Sequence, residues 1–184
     1  WLSSTNGAIK YNQDTESFTV YKNDYLYDYS LSSDYVNTFY EDKNNNIWIG
    51  TSNGLNILSN SQQFTTILNY GKGYYCRNIM DIVQTDNGEI WMGTLYNGIF
   101  RYNEENLLSE QIYYNNDEDM LHTNYINAMI KGPKNIIIAA TKGGIILIDE
   151  KDGSFTRLGK EKISRVYNEE IIDMEPQSVS DIIQ

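Results

Sequence analysis

Few side chains in this sequence have the chemistry of a catalyst or a metal ligand, and their spacing suits neither role. The single histidine, His122, follows Asp117, Glu118 and Asp119. A histidine beside carboxylates can act as a general base. No Gly-x-Ser-x-Gly elbow and no paired acidic motif accompanies it, so a lyase or hydrolase would have to work with His122 and Asp117 or Asp119 alone. Asp42, Asn44 and Asn46 alternate as in the first half of a calcium loop. That loop next requires Gly and later Glu, where this chain has Ile47 and Asn53. Cys76 is the only cysteine, so it makes no internal disulfide, and no Cys/His set is spaced for zinc. Gly71-Lys72-Gly73 lacks the helix of a phosphate loop. These residues predict no catalytic group, no metal and no cofactor.

Aromatic segments carry more information. The chain holds 16 Tyr, most of which read as half-buried strand residues. Three segments look different: Tyr25-Leu26-Tyr27-Asp28-Tyr29, the stretch from Tyr70 through Gly73-Tyr74-Tyr75-Cys76 to Arg77, and Met120 to Tyr125. Tyrosine with Asn, Asp and Arg beside it offers flat apolar faces and directional polar groups, which suits a sugar or a peptide. The candidate ligand-binding residues are Tyr27, Tyr29, Tyr74, Tyr75, Arg77 and His122.

The elements that must position them are set by a repeat. Trp1-Leu2-Ser3-Ser4, Trp48-Ile49-Gly50-Thr51 and Trp91-Met92-Gly93-Thr94 are followed by Asn6-Gly7, Asn53-Gly54 and Asn97-Gly98. A fourth copy, Ile138-Ala139-Ala140-Thr141 then Gly143-Gly144, lacks the Trp. An apolar pair stands at a fixed distance before each later copy: Val36 and Phe39, Ile79 and Ile82, Ile126 and Met129. Turn formers fill the interval: Asp42–Asn46, Thr85–Glu89 and Gly132–Asn135. A period in the forties with an apolar-aromatic strand per unit marks a β-propeller blade. Such units bury their faces only by stacking on neighbours.

The fold expected is therefore all-β, a partial β-propeller across 1–184 with about four blades of four antiparallel strands. Blade parts fall at 1–23, 34–71, 76–116 and 124–160, with the start of a further blade at 176–184. Strand A is expected near 34–41, 76–84 and 124–131, and strand B near 46–51, 89–94 and 136–141. Strand C is expected near 54–58, 98–102 and 144–149, and the outer strand D near 18–22, 64–69, 111–115 and 155–158. Trp1, Trp48 and Trp91 should fill the space between blades. Gly7, Gly54, Gly98 and Gly144 should permit a turn or close approach at the head of strand C. The D-to-A and B-to-C connections then share one face, and that face holds all three aromatic segments.

Composition narrows the partners. The net charge is −11 and the mean hydropathy is −0.53. An acidic chain repels phosphate backbones, which argues against nucleic acid and anionic membranes. No apolar run is long enough to insert in a membrane.

The phrases resemble a known family. Residues 45–56, Asn-Asn-Ile-Trp-Ile-Gly-Thr-Ser-Asn-Gly-Leu-Asn, look like the two-component regulator propeller repeat. So do Asp86 to Thr94 and the preceding Leu31-Ser32-Ser33-Asp34-Tyr35-Val36. The resemblance implies the extracytoplasmic, periplasmic or extracellular sensor of a membrane-anchored bacterial receptor with a histidine kinase output. It implies a small-molecule ligand, oligosaccharides being frequent in the family. The alternatives are a propeller lyase or hydrolase, and a protein-interaction scaffold. The fourth repeat departs from the pattern, with Ile138 for Trp and Ala140 for Gly.

The repeat register places Trp1 on a strand B and Gln177–Ile183 on a strand A. Val179–Ile183 of one copy is expected to complete the blade opened by Trp1, either of a second copy, giving a homodimer through open blade edges, or of its own chain, giving a four-bladed monomer.

Overall fold

The structure, a computed structural model, describes residues 1–59, 63–67, 76–103, 108–113 and 124–158. Four antiparallel sheets follow one another along the chain. Blade I pairs β1 (Ala8–Asn12) with β2 (Ser17–Tyr21), and Leu2 adds a bridge to Ile9. Blade II is β3 (Val36–Glu41), β4 (Ile47–Thr51), β5 (Gly54–Leu58) and β6 (Phe64–Ile67). Blade III is β7 (Ile79–Gln84), β8 (Ile90–Thr94), β9 (Ile99–Asn103) and β10 (Leu108–Tyr113). Blade IV is β11 (Ile126–Lys131), β12 (Ile136–Thr141), β13 (Gly144–Asp149) and β14 (Phe155–Arg157). Among the described residues there is no α-helix. β7 starts at Ile79 rather than at 76, the strand B expected at Trp1 is reduced to the Leu2 bridge, and β10 is displaced towards the N-terminus. That last strand starts at Leu108 rather than near 111, because the β9 hairpin pairs Leu108 with Asn103, and a bulge follows between Gln111 and Tyr113.

Strands A are the inner edges: β3 lies against β7 and β7 against β11. Each carries a bulge at the same register, at Asn37, Met80 and Asn127. A bulge raises local twist and re-aims a side chain. Asn37 uses this to cross between blades, its Nδ2 donating to the Ile79 carbonyl at 2.9 Å. From blade III, Asp81 Oδ2 accepts from the Met129 N–H of blade IV at 2.6 Å.

The core lies between blades. Trp48 and Leu55 meet Ile79, Ile82, Met92 and Phe100 across the II–III junction. Trp91 and Ile99 meet Ile126, Met129, Ile137 and Ile146 across III–IV. Trp1 packs on the I–II cluster of Ala8, Leu31, Val36, Ile49 and Phe64. Trp48 and Trp91 are fully buried. The Trp of each strand B thus faces the following blade, and the next residue (Ile49, Met92, Ala139) faces the preceding one. Two residues after Trp, a glycine lets the next blade close in. A Cβ at Gly50 would stand 2.7 Å from Ile79 Cγ2, and one at Gly93 would overlap Ile126.

The turn face, formed by the A-to-B and C-to-D connections, settles the calcium-like pattern. Asp42 is buried and accepts four bonds: from Trp48 Nε1 at 2.8 Å, from the Asn44 and Asn46 backbone at 2.8 and 2.9 Å, and from Asn46 Nδ2 at 2.9 Å. The carboxylate is an internal pin for turn and indole rather than a cation ligand. Burial pushes its pKa up, but the bonds from Asn46, Trp48 and the Asn46 and Asn44 backbone outweigh burial and hold it below the usual carboxylate value. In blade III the same place is taken by Thr85, whose hydroxyl turns to Asn87 and the Glu89 carbonyl. Among the described residues no hydrogen bond then reaches Trp91 Nε1, Glu89 Oε2 or Glu150 Oε1, although Arg101 Nη1 lies 3.8 Å from Glu89 Oε2. Burial pushes the Glu150 carboxyl up, Lys131 opposes this, and Asp86, Asp149 and Glu89 add to it. Asp86 bridges blades, pairing with Lys131 of blade IV and lying 3.9 Å from Lys43 of blade II.

Two predictions test this packing. Gly93→Ala should destabilise the chain by about 1–3 kcal/mol through overpacking, and Ile126→Val should recover part of the loss, read as a double-mutant cycle in urea. Asp42→Ala should cost about 2 kcal/mol by leaving the Trp48 N–H buried and unpaired. Because the folded pKa of Asp42 is depressed, its contribution is full above the unfolded value of about 3.9 and fades as pH falls through the folded value. Glu150 works oppositely: its raised pKa favours the fold below the unfolded value, an advantage lost as pH rises through the folded one. Glu150→Gln should therefore raise the melting temperature at pH 7 and change it little in acid, while added calcium should not shift the melt.

Candidate functional site

The loop face is built on one local motif used four times. The hydroxyls of Ser4, Thr51, Thr94 and Thr141 each donate to the carbonyl of the glycine heading strand C, at 2.8–2.9 Å. Each also accepts a backbone N–H from the loop, from Asn6, Asn53, Asn97 and Gly143. The turn this closes needs a left-handed residue at the strand head, and Gly7, Gly54 and Gly144 take φ of 113°, 121° and 115°. Blade III has one residue more between Thr and Gly, Tyr96 being the addition, and Gly98 answers with φ 71°.

Backbone bonds then tie these loops into a belt. Val36 N–H donates to Ser4 O, Ser52 to Tyr35, Asn78 to Ser52, Leu95 to Asn78, Gly98 to Asn124 and Lys142 to Tyr125, at 2.9–3.1 Å. The bonds alternate within and between blades, so the residues just before each strand A are fixed relative to one another.

The D-to-A connection ahead of blade II is equally constrained. Ser32 N–H donates to the buried Asn56 Oδ1 at 2.9 Å, and Asn56 Nδ2 returns a bond to Ser32 Oγ at 2.8 Å. Leu31 is sunk in the I–II core. Asp24 and Ser30 close the loop, Asp24 N–H donating to Ser30 Oγ and Ser30 Oγ–H donating to the Asp24 carbonyl. Asp24 Oδ1 accepts from Leu26 N–H at 2.9 Å. The closed loop turns its apolar side chains outward: Tyr25 is 91% exposed, Leu26 78%, Tyr27 68% and Tyr29 63%. Solvent-facing aromatic groups on a closed loop are the reverse of what core packing requires.

Of the candidate residues, Tyr27 and Tyr29 share this loop, and Arg77 is exposed beside Asn78 in the belt. Tyr74, Tyr75 and His122 lie outside the described residues, as do Asp117 and Asp119. Sequence reasoning missed four further groups. Tyr35 and Tyr96 are exposed. Tyr125 is half-buried, 5.2 Å from Tyr96 edge to face, with Lys142 Nζ 5.3 Å from its ring centre. The available signals were the extra residue before Gly98 and the recurrence of Tyr just before strand A. Among the described residues no cluster of His, Cys, Asp or Glu could hold a metal, and Cys76 is a buried thiol pushed up to about 12 by desolvation, against Met92. Among the described residues no helix is long and apolar enough to cross a membrane.

Residues 30–53 match the family described as two component regulator propeller. No curated protein matches the chain at the level of sequence. Among solved structures, the extracellular domain of the hybrid two component system BT3049 from B. thetaiotaomicron superposes with a TM-score of 0.71 at 19% identity, over 85% of this chain and 21% of that one. The extracellular domain of the one component system BT4673 from the same organism gives 0.70 at 19% identity, over 86% and 20%. Virginiamycin B lyase from Staphylococcus aureus gives 0.63 at 16% identity, over 84% and 48%. The chain thus spans about a fifth of the length of the two-component extracellular domains it superposes on. It has the β-propeller fold, and its segment 30–53, from the close of the tyrosine loop through strand B to the strand-C turn, is a two component regulator propeller repeat.

Proposed function

We propose that this chain is part of the ligand-sensing propeller of a bacterial two-component receptor, outside the cytoplasm, and that it binds an oligosaccharide or similar small polar ligand without catalysis. The observation that carries the reading is the loop face: a hydrogen-bonded belt and a closed loop hold Tyr25, Tyr27, Tyr29, Tyr35 and Tyr96 exposed. A loop whose backbone is already closed loses little backbone entropy on binding. The flat face of a pyranose ring fits a tyrosine, while the belt's Arg and Asn side chains supply direction. The regulator-type repeat supports a signalling role, and the likeness to extracellular domains supports the compartment. A kinase output and a membrane anchor belong to this same proposal.

A lyase is the second reading, favoured by the fold shared with virginiamycin B lyase. It would rest on His122 with Asp117 or Asp119.

Titration calorimetry against a glycan panel separates the two. Tyr27→Ala and Tyr29→Ala should each weaken binding roughly three- to thirtyfold, the range for losing one aromatic contact, without lowering the melting temperature. Binding that survives both substitutions, together with replacement of Arg77, would sink the site. Substrate turnover abolished by His122→Ala would move the protein to the lyase class.

A further inference from the structure

We propose that the loop face of blades III and IV is a subsite for an anionic sugar unit, whose ring stacks on Tyr96 and whose acidic group pairs with Lys142. The inference deepens the ligand-sensing reading and rests on it. Tyr96 exists because the B-to-C loop of blade III is one residue longer than its counterparts. It stands half exposed and meets Tyr125 in a T-shaped contact, so about half of its surface is left to a ligand. Lys142 is the exposed residue of the matching loop in blade IV. Its backbone N–H is bonded to the Tyr125 carbonyl and its ammonium lies over the Tyr125 ring. That loop is held further by Arg157, whose guanidinium donates to the Gly143 carbonyl. Tyr96 and Lys142 therefore flank one ring, Tyr125, on a fixed backbone.

Charge sorts the same way. The chain carries a net charge of −11, yet none of the described acids of blades III and IV sits on this patch. Asp86, Glu89, Asp149, Glu150 and Asp152 belong to the turn-face connections. Glu110 pairs with Arg101 at 2.8 Å on the outer strands. Asp81 spends both oxygens on the backbone N–H groups of Ile82 and Met129. The described cations of the loop face here are Arg77, Lys142 and Arg157. A cation poised on an aromatic ring, beside a second, half-exposed ring, matches a pyranose bearing a carboxylate or a sulfate. Asp117, Glu118 and Asp119, in the connection to β11, lie outside the described residues.

The test is calorimetry of the 184-residue chain with three probes: a galacturonic acid trisaccharide, a neutral galactose trisaccharide and a sulfated galactose trisaccharide. At low salt both acidic probes should bind about tenfold tighter than the neutral one, as one charge-assisted bond allows. Raising the salt to about 1 M should erase the preference, since screening is then nearly complete beyond contact. Lys142→Gln should abolish the preference, and Lys142→Arg should keep it. Tyr96→Ala should weaken all three probes. Equal binding of acidic and neutral probes, or an acidic preference unmoved by Lys142→Gln, overturns the subsite while leaving the ligand-sensing reading standing. Binding of none of the three sinks the oligosaccharide reading and the subsite with it. Should only one acidic probe bind tightly, the anionic class stands and the probe identifies which group Lys142 accepts.

Discussion

The structure depends on how closely one blade's inner strand can approach the next blade's strand B. At the II–III and III–IV junctions an isoleucine of the inner strand, Ile79 or Ile126, rests where a glycine has no side chain. The tryptophan two residues earlier then has a flat wall to lie on. Removing such a buried indole costs about 3–5 kcal/mol. An exposed ion pair like Lys43–Asp86 is worth about 0–1 kcal/mol. The apolar junction therefore sets the angle between blades, and the ion pairs decorate it. The inner-strand bulges follow from the same demand, because a strand crowded at the centre of a fan must twist more than its outer neighbours.

Once the junction is fixed, the two faces are free to differ. On the loop face a hydroxyl and a glycine recur in every blade, and one backbone bond recurs within blades II, III and IV, so the scaffold does not depend on the intervening side chains. Ser52, Leu95 and Lys142 occupy one place in the belt, and Tyr35, Asn78 and Tyr125 another. The constant element is backbone and the variable element is side chain, which is the arrangement a binding surface needs. On the turn face the side chains themselves do the holding, as Asp42 shows by satisfying four donors at once.

Much of this was legible in the sequence, for a physical reason. A junction that must recur in every blade forces the same residue types at the same spacing, so Trp48, Trp91, Gly54, Gly98 and the inner-strand apolar pairs announced the strands to within about three residues. What did not recur was hidden. Tyr96 is a single insertion, and only the geometry of Tyr125 and Lys142 around it gives it meaning. Asp42 looked like half a cation loop because an internal carboxylate pin and a calcium ligand use the same residue type at a turn. They differ only in whether the donors come from the protein, and no spacing rule tells them apart. The loop of Tyr27 and Tyr29 was visible as composition, but its rigidity rests on Asp24, Ser30, Ser32 and Asn56. Those polar residues read individually as ordinary loop formers.

The irregular repeats obey the same volume constraint as the regular ones. At the register of Gly50 and Gly93 blade I has Ser3, and the inner strand of blade II brings Val36 where the later blades bring Ile79 and Ile126. A Cβ is added on one side and a methylene is missing on the other. Blade IV has Ala140 at this register. Close-packed interiors tolerate substitutions that conserve total volume far better than those that add to it. The degenerate fourth copy is thus not a decayed blade. Losing the indole to Ile138 and gaining the methyl of Ala140 move side-chain bulk along the strand by two residues. At the I–II junction Val36 is the residue that concedes room to Ser3.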